Sequence, residues 1–392
     1  MKHLITIDDI DIKDKRVFVR TDYNVVEDGK IIDDFRIEAS LPTLRMLLKS
    51  GCSLVLASHN GRPDGKPVPG LSLRPVAKRL AKLLGQDVIF VDDCVGEEVE
   101  ATAKTLQSGQ ILLLENLRFY PQEEANSHVF AKQLADLADV YVDDAFANIH
   151  RAHASMVGIP KLLPHAAGLL LEKEYETLKG MMDRPKKPFV AIVGGAKISD
   201  KIVVLEKLID KVDTLLLGGA LANTFLYAAG FDTGKSMVEK NMKPTVAKIL
   251  SYANQKGVNI ALPVDVKVAT KPDATTGIRN VPITAVHGDE LMLDTGTKTA
   301  KLFADKIIAA RQVFWNGTLG IAENPHFAGG SRSIAKAIKS PHIYSVIGGG
   351  DTAAFVDAHH MHDWYDWVST GGGASLELIA GEKLPALEIL MK

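Results

Sequence analysis

Short apolar runs recur along the whole chain, and polar residues gather between them rather than alternating within them. The runs fall at 17–19, 53–57, 110–114, 140–142, 189–193, 214–217, 259–262, 313–315 and 343–347. A run that is apolar on both faces predicts a buried parallel strand, because a strand with one wet face alternates. Between the runs lie segments with helical spacing, at 36–49, 74–84, 126–138, 198–208 and 300–310. Strand alternating with helix predicts an α/β fold built of βαβ units. Residues 167–182 read as one amphipathic helix, and the prolines of DRPKKP (183–188) stop it. The expected architecture is two doubly wound parallel-sheet (Rossmann-like) domains, 1–166 and 188–375, joined by a hinge helix and linker over 167–187.

Composition narrows the class. The 392 residues suit two domains. With 46 basic and 48 acidic residues the net charge is -2, so no global field favours nucleic acid or anionic lipid. Two cysteines, Cys52 and Cys94, form neither a disulfide framework nor a zinc ribbon. The start, MKHLITIDDIDIKDK, has no signal-peptide pattern, and no apolar run reaches bilayer length. A soluble enzyme of a reducing, cytoplasmic compartment is expected, without nucleic-acid or membrane partners.

In doubly wound sheets, ligands bind outside the carboxyl ends of the strands. After VFVR come Asp22, Tyr23 and Asn24. After LVLA come His59, Asn60, Gly61 and Arg62. Arg118 follows ILLL, Arg151 and His153 follow VYV, and Arg36 follows the first turn region. Guanidinium forks match carboxylates and phosphates in two-point geometry, so the first half predicts a site for a small, multiply anionic ligand.

In the second half the same positions are glycine. Gly194-Gly195, Gly218-Gly219, Asn316-Gly317, Gly348-Gly349-Gly350 and Gly371-Gly372-Gly373 all follow apolar runs. Glycine lets backbone N–H groups approach a phosphate, and a helix N-terminus behind it favours the negative charge. Lys197 and Lys201 are expected one helical turn apart on one face, suited to a polyphosphate. Asp351 directly after three glycines suits Mg²⁺. AGFDTGKS (229–236) nearly matches a P-loop but lacks its first glycine and a preceding strand. Gly348–Ala353 matches GxGxxA, yet no ribose-binding acid follows about 20 residues on. His359, His360 and His362 read as a solvated helix end, and Asp33-Asp34 and Asp92-Asp93 as turn or cap residues. The simplest chemistry is phosphoryl transfer between an anion held by arginines and a nucleotide held by glycines and lysines.

VRTDYNV, ASHNGRP, LLLENLRF, DDAFANIHRAHAS, AIVGGAKISDK, LLLGGALANTFL, LPVDV, WNG, IGGGDTAA and STGGGASLE run in order from Arg20 to Glu377. The chain resembles phosphoglycerate kinase. The resemblance implies the reaction of 1,3-bisphosphoglycerate and ADP to 3-phosphoglycerate and ATP, with Mg²⁺. It implies a 3-phosphoglycerate site of Asp22, Tyr23, Asn24, Arg36, His59, Asn60, Gly61, Arg62, Arg118 and Arg151, with His153 adjacent. On the nucleotide side it implies Gly195 and Lys201 at the phosphates, Gly218 and Gly219 at adenine, Asn316 close by and Glu323 on the ribose. Gly349, Gly350, Asp351 and Thr352 would cover the terminal phosphates, with Asp351 on the metal. Arg36 and Lys197 would flank the transferred group as the catalytic pair. A monomer, closure about the hinge helix, and a C-terminal tail (376–392) packed back on the first domain are also implied. Thr318 and Thr297 stand where the family commonly has proline, and Ser331 where threonine is usual.

Two alternatives stay open from the sequence: a non-catalytic nucleotide-binding protein, and a nicotinamide-dependent oxidoreductase resting on the 348–353 fingerprint. The second leaves the arginines unexplained.

Overall fold

The computed structural model describes residues 3–392, which divide into two compact units, 3–176 with 383–392, and 177–382. In the first unit the strands are β1 (Arg16–Arg20), the small hairpin β2 (Val26–Glu27) and β3 (Lys30–Ile31), β4 (Ser53–Ala57), β5 (Val88–Phe90), β6 (Ile111–Leu113), β7 (Val140–Asp143) and β8 (His165–Ala167). Six of them form one parallel sheet in the order β5-β6-β4-β1-β7-β8. Both faces are dry. Val17, Val19, Leu54 and Leu56 pack under helices Phe35–Lys49 and Arg74–Leu84. Phe18, Val55 and Leu112 pack on the other face against Phe130 and Leu134 of helix His128–Ala135. That is why the strand sequences are apolar on both faces for most of their length.

The second unit holds β9 (Phe189–Val193), β10 (Thr214–Leu217), β11 (Asn259–Ala261), β12 (Asp265–Ala269), β13 (Arg279–Pro282), β14 (Leu291–Thr295), β15 (Gln312–Asn316), β16 (Tyr344–Gly348) and β17 (Trp367–Val368). Its main sheet is again parallel, in the order β11-β10-β9-β15-β16-β17. The remaining strands form an antiparallel sheet, β13-β12-β14, over a small core of Leu226, Val266, Val268, Val281 and Met292. The expected fold class, two doubly wound parallel sheets, is therefore the one observed. The antiparallel sheet is an addition.

The chain passes between the units within helix Leu169–Asp183, and again at 382/383. Asp144 caps the start of that helix: its Oδ1 accepts from Leu170 N at 3.0 Å. The expected helix start at 167 is corrected, because Ala167 completes β8 beside Asp143. Residues 383–392 pair within the first unit, through Ile5 N to Leu390 O and Ala386 N to Ile149 O. Among the described residues no helix is long and apolar enough to cross a membrane.

Candidate active site

In the first unit the carboxyl ends of β1, β4, β6 and β7 gather cations around His59. Its imidazole is buried, and its protonation is pushed well down, first by burial and then by Arg20, Arg151, Arg36 and His153. His153 is likewise lowered, to about 4, by burial and by Arg20 and Arg151. Both rings are therefore neutral at pH 7, and the positive charge resides on the guanidiniums. Arg36 donates from Nη1 to Asp22 Oδ2 at 2.7 Å, and its other N–H groups have no such partner among the described residues. Arg118 donates to Gly61 O at 2.7 Å, and Gly61 N donates to Asn24 Oδ1 at 2.8 Å, which ties Arg62's loop to β1. Arg62 is exposed and forms no ion pair among the described residues.

Two expected residues stand apart. The Tyr23 ring is fully buried with its hydroxyl on Ser40 Oγ at 2.9 Å, and burial raises its pKa. The Asn60 side chain is spent on Val26, accepting at 3.1 Å and donating at 2.9 Å. Their side chains shape the loops rather than face a ligand.

The structure adds a fifth arginine. Arg20 is almost completely buried, donating Nε to Ser155 Oγ at 2.8 Å and lying 3.4 Å from His59 Nδ1. Ser155 in turn binds the buried Glu123 through N and Oγ, at 2.9 and 2.6 Å. A search confined to the residues after each strand misses Arg20, because it is the last residue of β1 itself. Its signal is a buried charge closing a strand whose three middle residues are apolar.

In the second unit, the β9 and β15 turns touch. A Cβ on Gly194 would strike Thr318 O, and one on Gly349, at φ +93°, would strike the Asn316 amide. Lys201 reaches into this junction, donating to Gly194 O at 2.7 Å and Asn316 Oδ1 at 2.6 Å. Asn316 is itself fixed by Gly348 O at 2.9 Å, and Gly317 N by Thr352 Oγ1 at 2.6 Å. Burial lowers Lys201 to about 8, against the favourable field of Asp351 and Asp200.

The expectation that Lys197 and Lys201 share a helix face is corrected. Helix Ile202–Ile209 begins after Lys201, and 197–201 is a loop. Glu239 holds that loop, accepting from Ile198 N at 2.6 Å, Ser199 N at 3.1 Å and Ser199 Oγ at 2.6 Å. Lys197 is left exposed.

A cleft of 610 Å³ opens beside these turns. Gly195, Gly219, Thr318 and Asp351 line one side, and Leu293 and Met292 of β14 the other, with Glu323 exposed at the rim. Gly218 lies just behind, against Leu319. Gly350 and Asp351 open helix Gly350–Ala358. The apolar wall from β14 was missed, since LMLDT alternates weakly and carries no charge pattern. Lys235 and Ser236 also line the cleft, although 229–236 is no P-loop: it follows helix Gly219–Ala228, and Lys235 N is bonded to Glu290 O. The family departures are accommodated: Thr318 Oγ1 donates to Gly320 O, Thr297 N to Asn280 Oδ1, and Ser331 Oγ accepts from Leu319 N.

Among the described residues no cluster of three or more His, Cys, Asp or Glu forms a metal cage. Asp351 alone, beside a phosphate-sized junction of glycines, fits the other pattern, in which Mg²⁺ takes one carboxylate and completes its shell from phosphates and water.

A cationic crevice suited to a small polyanion on one unit, and a glycine-rich cleft suited to a nucleotide on the other, fit a two-domain α/β phosphotransferase. The family model for phosphoglycerate kinase matches residues 7–382, and the chain belongs to that family. It is 48% identical over 387 residues to the phosphoglycerate kinase of Moorella thermoacetica, covering 98% of each chain. It is 45% identical to that of Dictyoglomus turgidum over 393 residues, covering 99% of this chain and 98% of the other. The structure of phosphoglycerate kinase from Coxiella burnetii superposes with a TM-score of 0.86 at 39% identity, over 99% of both chains. That from Pyrococcus horikoshii gives 0.85 at 33% identity, over 99% of this chain and 98% of the other.

Proposed function

We propose that the chain catalyses the reversible transfer of a phosphoryl group from the acyl phosphate of 1,3-bisphosphoglycerate to ADP, giving 3-phosphoglycerate and ATP. The observation that carries the reading is the set of guanidiniums around a neutral His59 at the carboxyl edge of the first sheet. Arg62, Arg118 and Arg151 hold the phosphate and Asp22 and Asn24 the carbon chain, with His59 and His153 as neutral partners. Lys201, Gly195, Gly349, Gly350 and Thr352 hold the nucleotide phosphates. Glu323 takes the ribose, with adenine between Gly218-Gly219 and the β14 wall.

No base is needed. In the ATP-consuming direction the acceptor is a carboxylate, ionised at pH 7 with a pKa near ~4. Kinases acting on hydroxyls place an Asp to take that proton. Here the work is positioning and charge neutralisation in an in-line transfer, by Arg36 and Lys197 together with backbone N–H groups. Mg²⁺ held by Asp351 and the nucleotide would neutralise phosphate charge. We further propose domains at 1–166 and 188–375 joined over 167–187, a monomer in the cytoplasm, and small molecules rather than nucleic acid as partners.

The test is a coupled assay with 3-phosphoglycerate, Mg-ATP and a dehydrogenase that consumes the acyl phosphate. Arg36→Ala and Lys197→Ala are each expected to lower turnover at least ~100-fold, the scale of losing one electrostatic stabiliser. A wild-type protein that binds both ligands without turnover would favour the non-catalytic reading.

A further inference from the structure

The first unit carries a second crevice, separate from the arginine site. Its volume is 970 Å³, within the range of small-molecule pockets. It lies beyond the carboxyl ends of β5 and β6, the same edge on which such sheets place ligands. Its walls are flat and apolar: Pro67, Val68, Pro69, Pro75, Phe119 and Tyr120. Three prolines and two aromatic rings keep their shape whether or not anything is bound, and they suit a planar ring.

The polar groups at this crevice sort into spent and unspent. Glu115 at the floor accepts from Ser72 Oγ at 2.7 Å, Leu73 N at 2.9 Å and Asn116 N at 2.7 Å. Asp93 accepts from Tyr120 OH at 2.6 Å and Cys94 N at 2.7 Å. Asp92 is paired with Arg74, whose guanidinium also lies 4.6 Å over the Phe90 ring. Lys78 is different. It lines the crevice from the second turn of helix Arg74–Leu84, is exposed, and forms no ion pair among the described residues. Asp92 and Asp93 already hold Arg74 and Tyr120, whereas Lys78 has no ion partner among the described residues, so an anionic ligand finds an unpaired cation there.

A structural wall separates the two sites. Asn116, next to Glu115, accepts from Asn60 N and Arg118 N, both at 3.1 Å, and donates to Asn60 O at 2.7 Å. A ligand in this crevice therefore lies behind the loop that carries Arg62 rather than among the arginines.

We propose that this crevice is a binding site for a planar aromatic acid, a ring system bearing one carboxylate or comparable anion. The ring stacks between the proline and aromatic walls, and the anion pairs with Lys78.

The probe is 2-naphthoate, titrated into the full chain by calorimetry, with 2-naphthamide as the neutral comparator. Saturable 1:1 binding is expected, with the amide at least several-fold weaker. Lys78→Glu is expected to weaken it about fivefold or more, the scale of one surface ion pair lost and replaced by repulsion. Val68→Trp, which fills the crevice from its wall, is expected to abolish it. Thermal melting of both variants checks that they fold, and since both residues are solvent-accessible, one soluble variant suffices. Binding must persist with saturating 3-phosphoglycerate and, separately, saturating ADP. Displacement by either ligand, unchanged affinity in both variants, or no binding at millimolar 2-naphthoate overturns the proposal.

Discussion

Lys201 shows how a single residue sets a condition on the whole reaction. Its ammonium is drawn out of water to bond Gly194 O and Asn316 Oδ1, and burial lowers it to about 8. Below that pH the free protein presents a charged lysine to phosphate. Above it the amine is neutral, and binding must first take up a proton. The unfolded chain binds that proton up to about 10.4. Folding stability from this group therefore rises with pH between roughly 8 and 10.4, while nucleotide affinity falls over the same range. ADP affinity measured by calorimetry is expected to be level from pH 7 to 8, then to drop by up to about tenfold per unit. A profile level to pH 9.5 would show that Lys201 does not meet the phosphates. Arg20 marks the limit of reading residues by position. A rule that looked after each strand found Arg62, Arg118 and Arg151, but not the arginine inside β1 that holds His59 and Ser155.

At the scale of elements, the parallel strands were legible because burial on both faces leaves continuous apolar runs, as at Ser53–Ala57 and Phe189–Val193. Where burial is partial the signal fades. β5 is a half-exposed edge strand, and in the antiparallel sheet Lys267, Arg279, Asn280 and Asp294 interrupt the apolar runs of β12–β14. The start of helix Ile202–Ile209 was misplaced for another reason: the periodicity of 198–208 is local, but Glu239, 40 residues away, claims the N–H groups of Ile198 and Ser199. That grip is what presents Lys197 outward. Glu239→Ala removes three charge-assisted hydrogen bonds, each typically worth ~1.5–3 kcal/mol before water replaces it. We expect ADP affinity to fall roughly tenfold and 3-phosphoglycerate affinity to stay unchanged, as read by calorimetry on the same preparation. Equal losses for both ligands would mean that the substitution unfolds the protein rather than freeing the loop.

For the whole molecule, the proposed chemistry sets a demand that neither unit meets alone. The arginines belong to one compact unit and the lysines and glycines to the other. An acyl phosphate must meet ADP in line and without water, or it is lost to hydrolysis. The chain crosses between the units twice, once within helix Leu169–Asp183 and once at 382/383. Two crossings permit rotation about a line while keeping each unit intact, which is the condition for hinge closure. If closure is driven by contacts that both substrates make, either ligand alone shifts the equilibrium little, and the pair shifts it much further, since a ligand moves a conformational balance only by its differential affinity. Small-angle scattering is therefore expected to show a smaller radius of gyration with 3-phosphoglycerate and Mg-ADP together, and little change with either one. An unchanged radius with both bound would rule out closure, and transfer would then need the two half-sites to be in contact already in the free protein.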